Sequence, residues 1–201
     1  MHHVPFGNSY FATDECGGGP YNSTTRHCYE QLCVGTDTPP ADCFGTGSPL
    51  AEKVVAQHGV TEYEVNRLEA CAWHRASERG IGNWATWYWP YVVCLEKAAD
   101  TLGRNASTAQ LSAASAFCAA GRIEGIESCF VEGSAEGDTL VRRMAAETPD
   151  HPATPWITVN GQPTTPDQVL AAVCKAIKGP APAGCSSIVS PVATTTPAQC
   201  A

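Results

Sequence analysis

The chain has 201 residues, 43% of them hydrophobic, and a formal net charge of −8 with only 12 Lys and Arg. That size and apolar content suit one domain with a real core, whereas the acidic balance lacks the basic footprint that nucleic acid requires and no apolar run approaches a membrane span. Eleven cysteines, at 16, 28, 33, 43, 71, 94, 118, 129, 174, 185 and 200, exceed cytosolic usage and fit no zinc ribbon or finger, so they predict an oxidising compartment and mainly disulfides.

An odd cysteine count leaves at least one thiol unpaired or bonded to another chain, and Cys200, one residue from the end, is the candidate for an intermolecular bridge. Asn22-Ser23-Thr24 and Asn105-Ala106-Ser107 are glycosylation sequons that fit a secretory route. The opening Met1-His2-His3-Val4-Pro5-Phe6-Gly7 has neither the basic patch nor the apolar core of a signal peptide. The expectation is a removed leader or a start at an internal Met.

In chain order, His3-Val4-Pro5-Phe6 reads as a short strand ending in a turn at Gly7-Asn8. Residues 13–48 read as loop. They hold Gly17-Gly18-Gly19-Pro20, Pro39-Pro40 and four cysteines, and two disulfides would have to tie them down. Cys16, Cys28, Cys33 and Cys43 allow three pairings, between which the sequence does not choose. Residues 49–121 read as helical, with Val65, Leu68, Cys71 and Ala72 on one face. Trp84, Trp87, Tyr88, Trp89 and Tyr91 follow as core aromatics rather than a substrate-contacting cluster, and Pro90 should end or kink any helix there.

A cleaner helix is predicted from Ser107 to Ala120, stopped by Gly121. Another covers 137–147 with Leu140, Val141, Met144 and Ala145 inward. Trp156-Ile157-Thr158-Val159 is a strand, followed by the hairpin signal Asn160-Gly161. Thr165 then reads as an N-cap, with Pro166 as the first helical residue and Asp167 as a favourable early acid. Val169, Leu170, Val173 and Ile177 are the expected buried stripe, and Gly179-Pro180 the stop. The Ser/Thr/Pro-rich tail, 186–201, is expected to be disordered or a short stalk.

One block carries chemistry by its spacing. Gln57, His58, Gly59, Glu62, Asn66 and Cys71 follow, in order, a pattern of Cys-Gln-His-Gly, two residues, Glu-Cys, two residues, Asn, four residues, Cys. This resembles the signature of the gamma-interferon-inducible lysosomal thiol reductases, with Ala56 and Tyr63 standing where that signature has cysteine. Trp89-Pro90-Tyr91-Val92-Val93-Cys94-Leu95-Glu96 is similar to the family's aromatic-Pro-aromatic block ending in Cys and an acid. Thr154-Pro155-Trp156-Ile157-Thr158-Val159-Asn160-Gly161 is close to its Val-Pro-Trp-Ile-Val-Val-Asn-Gly, and Val4-Pro5-Phe6-Gly7-Asn8 resembles its Val-Pro-Tyr-Gly-Asn strand. Cys118 with Cys129, and Cys174 with Cys185, match its later cysteine pairs, so the likeness spans 1–12 and 49–186.

The resemblance implies an α/β, thioredoxin-like fold with a helical insertion over 1–185, disulfide-rich, with 13–48 as a Cys-rich loop insertion. Such enzymes work through a Cys-x-x-Cys pair, and no two cysteines here have that spacing. Because the chain begins at what resembles the second strand, the first strand and the catalytic helix are expected to be missing. That would leave a gap of roughly 10 Å between the strands flanking the absent one, a reason to doubt a stable fold. The resemblance makes Pro155 a cis-proline facing the redox cysteines and Thr154 a backbone partner of substrate. It implies bridges Cys118–Cys129 and Cys174–Cys185 and the loss of one family bridge as a unit at positions 56 and 63, and Cys71 is expected to pair with Cys94. No residue is named as a nucleophile.

The implied function is reduction of disulfide-bonded protein substrates in an acidic lysosomal or extracellular compartment, without a cofactor. A secreted, non-catalytic binding protein on the same scaffold is the alternative. Read from the residues alone, His58 could tune a nearby thiol or accept a proton but reads first as a loop or cap histidine, Gly59 permits a turn, and Glu62 and Asn66 cap a helix start. Cys71-Ala72-Trp73-His74 has Cys-x-x-His spacing but no second half-site, so no metal is expected.

Overall fold

The computed structural model describes residues 2–46, 50–78, 84–131 and 133–186. They form a mixed α/β, mostly helical and disulfide-rich protein with two small sheets. Two compact units are distinguished, Met1–Asp150 and His151–Ala201. No described helix is long and apolar enough to cross a membrane.

The first unit is organised around one helix, α2 (Val60–Glu78). One side of it contributes Val65, Leu68, Cys71, Ala72 and Ala76 to an apolar cluster. That cluster is completed by α3 (Trp84–Leu102), α4 (Thr108–Ala119) and α5 (Ile126–Phe130). Another side contributes Tyr63 and Ala70 to a second cluster, with Phe6, Tyr10, Phe11, Tyr29, Leu50 and, from α6 (Ala135–Glu147), Val141, Met144 and Ala145. The sequence periodicity sees only the first of these faces. Ser107 and Gln110 form a capping box at α4, and Ser134 accepts from the Gly137 amide at α6.

Three expectations for this unit are corrected. His3–Phe6 is not a strand: Pro5 has no amide to donate, and Phe6 and Ser9 turn the chain by bonding Val4 O and Phe6 O at 2.9 and 3.1 Å. The strand is instead β1 (Tyr10–Phe11), antiparallel to β2 (Val54–Val55) with Tyr10 opposite Val55. The stretch 13–48 is not all loop, because it contains α1 (Ser23–Cys33). Asn22 starts this helix by accepting from the Thr24 and Thr25 amides at 2.8 and 3.2 Å. Arg26, Tyr29, Glu30 and Cys33 fall inward at helical spacing. Finally, α3 runs through Pro90 without ending. Both Pro90 and Thr86, whose carbonyl the proline leaves without its helical donor, lie on the exposed face, where water can satisfy it.

In the second unit, β3 (Ile157–Val159) and β4 (Gln162–Thr164) form a hairpin through Asn160 and Gly161. Both have positive φ, 51° and 78°, as a type I′ turn requires. The following helix, α7, is Val169–Ala176 with Gln168 at its cap, not Thr165; residues 166–168 form a turn in which Gln168 N bonds Thr165 O at 3.0 Å. The expected buried stripe is not buried: no residue of α7 is, and Leu170 and Ile177 are 52% and 38% exposed. A two-stranded hairpin and a 3₁₀ turn are too little surface to cover it. The tail beyond 186, including Cys200, lies outside the described residues.

Five disulfides join all ten cysteines among the described residues: Cys16–Cys28, Cys33–Cys43, Cys71–Cys129, Cys94–Cys118 and Cys174–Cys185. The pairings Cys71–Cys94 and Cys118–Cys129 are therefore corrected. Packing of α5 on α2 brings Cys129 to Cys71, and packing of α4 on α3 brings Cys118 to Cys94. The thioredoxin-like arrangement rests on the resemblance, not on these two separate sheets.

Candidate functional site

The signature residues gather at the N-terminal end of α2, where they hold structure together. Gly59 turns the chain with φ 87°. Glu62, in the first turn, accepts from the His58 amide at 2.6 Å and lies 3.0 Å from the His58 ring. Its carboxylate satisfies an otherwise orphaned donor and faces the positive end of the helix. Gln57 Oε1 accepts from Asn8 Nδ2 at 2.7 Å, and the Arg26 guanidinium donates to Asn8 Oδ1. Asn66 Nδ2 donates to Phe6 O at 3.4 Å. Two stretches far apart in sequence, Val4–Asn8 and Gln57–Asn66, are thus joined by side-chain bonds, with α1 clamped to the same point.

Ala56 and Tyr63, at the positions where the signature has cysteine, are both buried in one apolar cluster. Tyr63 also anchors a buried charge. Arg67 Nη1 donates to Tyr63 Oη at 3.1 Å, Nη2 donates to Val131 O at 3.1 Å, and Asp138 Oδ1 stands 3.0 Å from Nη1 as an ion pair without hydrogen-bond alignment. Gly137 leaves room for this pair: a Cβ there would stand 2.3 Å from Cys129 O and 2.7 Å from Arg67 Nη2.

A second buried acid lies on another side of α2. Glu69 is 3% exposed, and its carboxyl is held well above the ordinary range by burial and then by the neighbouring Glu96, with which it shares a hydrogen bond. Nearby, His3 Nδ1 meets Tyr88 Oη at 2.5 Å, and burial lowers the His3 ring to about 4. The two groups pull stability in opposite directions. Folding holds the Glu69 proton, so its contribution is best below the ordinary 4.5 and is lost as pH rises toward its folded value. Folding excludes the His3 proton, so its contribution is present above 6.5 and is lost as pH falls toward 4. Glu69→Gln is accordingly expected to match the parent near pH 4 and to gain over it progressively at higher pH in urea melts. Parallel pH profiles for the two proteins would refute this.

The remaining sites lie apart from this cluster in sequence. Thr154-Pro155 is a cis peptide in the second unit, both residues are exposed, and Trp156 after them is 38% exposed. Asn22 and Asn105 are exposed. A cavity of about 240 Å³ is lined by His2, His3, Trp73, His74, Arg143 and Glu147. Its charges are already matched, with Glu147 taking His2 at 2.8 Å and Arg143 at 2.7 Å. The sequence reading missed Arg67, Glu69 and Asp138. Nothing in a polar residue's identity signals burial, and the only available clue was their position on helices whose apolar residues occupy more than one face.

No family model matches the chain, and no solved structure does. Two curated relatives are similar to it. One is the gamma-interferon-responsive lysosomal thiol protein of Arabidopsis thaliana, 29% identical over 138 residues, which cover 63% of this chain and 50% of the relative. The other is the gamma-interferon-inducible lysosomal thiol reductase of Carassius auratus, 29% identical over 141 residues, 65% of this chain and 50% of the relative. The chain spans about half the length of the curated relatives it matches. Both names support the thiol-reductase resemblance read from the signature.

Proposed function

We propose that this chain is a thiol-reductase-related protein that handles disulfide-bonded polypeptides in an acidic lysosomal or extracellular compartment. The observation that carries the reading is the direct bonding of two of the resemblance blocks, Asn8 to Gln57 and Phe6 to Asn66. It is supported by the printed names of the relatives. In this reading the exposed Thr154 and Pro155, with Trp156, receive an extended stretch of substrate, and Asn22 and Asn105 carry glycans.

The reductase step itself needs a thiolate, which attacks one sulfur of the substrate disulfide and leaves a mixed disulfide for a second thiol to resolve. Every described cysteine is already in a disulfide, and the 201 residues contain no Cys-x-x-Cys. This favours the second reading for the chain by itself: a disulfide-stabilised binder of unfolded polypeptide that keeps the scaffold without the chemistry.

Both parts are open to test. Added to insulin at pH 5 with a small thiol, the 201-residue chain is expected to give no turnover above the thiol alone; robust turnover would sink the binder reading. Titration with carboxymethylated insulin B chain, followed by NMR, is expected to shift the Thr154 amide and the Trp156 indole most. Undisturbed signals at both would remove the substrate role.

A further inference from the structure

We propose that His27, Glu30 and Asp150 form a zinc-binding site that ties α1 to the segment following α6. One donor atom from each residue lies within 4.8 Å of the other two, and His27 Nδ1 is 3.4 Å from Asp150 Oδ1. Zinc bonds of ~2.0–2.1 Å in tetrahedral geometry place neighbouring ligand atoms about 3.3–3.4 Å apart, so the His27–Asp150 edge is already at the required length. His27 and Asp150 are exposed, which leaves the site open to solution and lets their side chains close the remaining distance to Glu30. His27 and Glu30 are three residues apart on α1 and therefore share a face.

Three further observations point the same way. His27 Nε2 lies 2.9 Å from Gln31 Nε2, one turn on, which holds the ring with Nδ1 toward Asp150; with the Gln31 amide turned over, its oxygen accepts from Nε2–H and Nδ1 is left to ligate. Glu30 is 4% exposed and packed against a second carboxyl. Its carboxyl lies against that of Asp150, and a cation bound between them would balance the charge of both. Disulfides at Cys28 and Cys33 fix the helix that carries both ligands.

Arg26 Nε stands 3.7 Å from Glu30 Oε2, a cation that zinc must tolerate. The imidazole selects zinc over calcium or magnesium, which prefer oxygen alone. Three protein ligands leave a fourth position for water.

The test uses the whole disulfide-intact chain at pH 7. With zinc chloride at a hundredfold excess over a micromolar Kd, the thermal midpoint is expected to rise by roughly 5–8 °C above that in EDTA. His27→Gln and Asp150→Asn, both at exposed positions, are expected to keep the zinc-free midpoint and lose most of the rise. Calorimetric titration reads the same question without melting: one zinc per parent chain, and none at that affinity in either variant. No rise in the parent overturns the proposal. So does an equal rise in both variants, which would assign the metal to other histidines, or an equal rise with calcium or magnesium.

Discussion

Asp138→Ala is expected to destabilise the first unit by about 3–5 kcal/mol, because it leaves the Arg67 guanidinium buried without its counter-ion. Arg67 and Asp138 side chains are 4% and 5% exposed, so solvent cannot take over the role of the carboxylate. The two neutral partners of Arg67, Tyr63 Oη and Val131 O, solvate the guanidinium but do not neutralise it. The control is the double replacement Arg67→Met with Asp138→Leu, which removes both charges and keeps the volume. It is expected to recover much of the loss, since a buried ion pair stabilises little over a well-packed apolar pair. Urea melts of the three proteins decide it: a single variant within about 1 kcal/mol of the parent would mean that water reaches Arg67 after all.

Removing the bridge between α2 and α5 by Cys71→Ala with Cys129→Ala is expected to cost about 4 kcal/mol. The bridge spans 58 residues, and the loop-closure cost lifted from the unfolded chain grows with the logarithm of that span. Both cysteines are fully buried, so the vacated sulfur volume adds to the loss. Removing Cys33–Cys43, which closes only 10 residues, is expected to cost about 3 kcal/mol by the same relation. Equal or inverted losses in denaturant melts would mean that local packing around each bridge, not chain entropy, sets its value.

Legibility in the sequence followed the kind of signal. Turn and cap chemistry is local, so the Asn160-Gly161 hairpin and the Ser107 start of α4 could be placed from residue identity, while the start of α6 was read two residues late. The Asn22 cap is equally local, but in a stretch dominated by Gly, Pro and Cys it was visible only as a sequon. Pairing of cysteines is not local. Cys71 and Cys94 are the nearer pair along the chain, and only the packing of α5 on α2 and of α4 on α3 redirects them. At the signature, residue order identified a family likeness, yet the function of Gln57 and Asn66 as ties to Asn8 and Phe6 required the folded chain. The Arg67–Asp138 pair was out of reach for the same reason, because its members come from α2 and α6.

The placement of α2 has a consequence for how the first unit comes apart. This one helix supplies Leu68 and Cys71 to one apolar cluster and Tyr63 and Ala70 to the other. Neither cluster can dissolve without stripping a wall from its neighbour, so the free energies of the two cores are not separable quantities. Heating or denaturant should therefore find no half-melted first unit, and damage at either core is felt as loss of the whole.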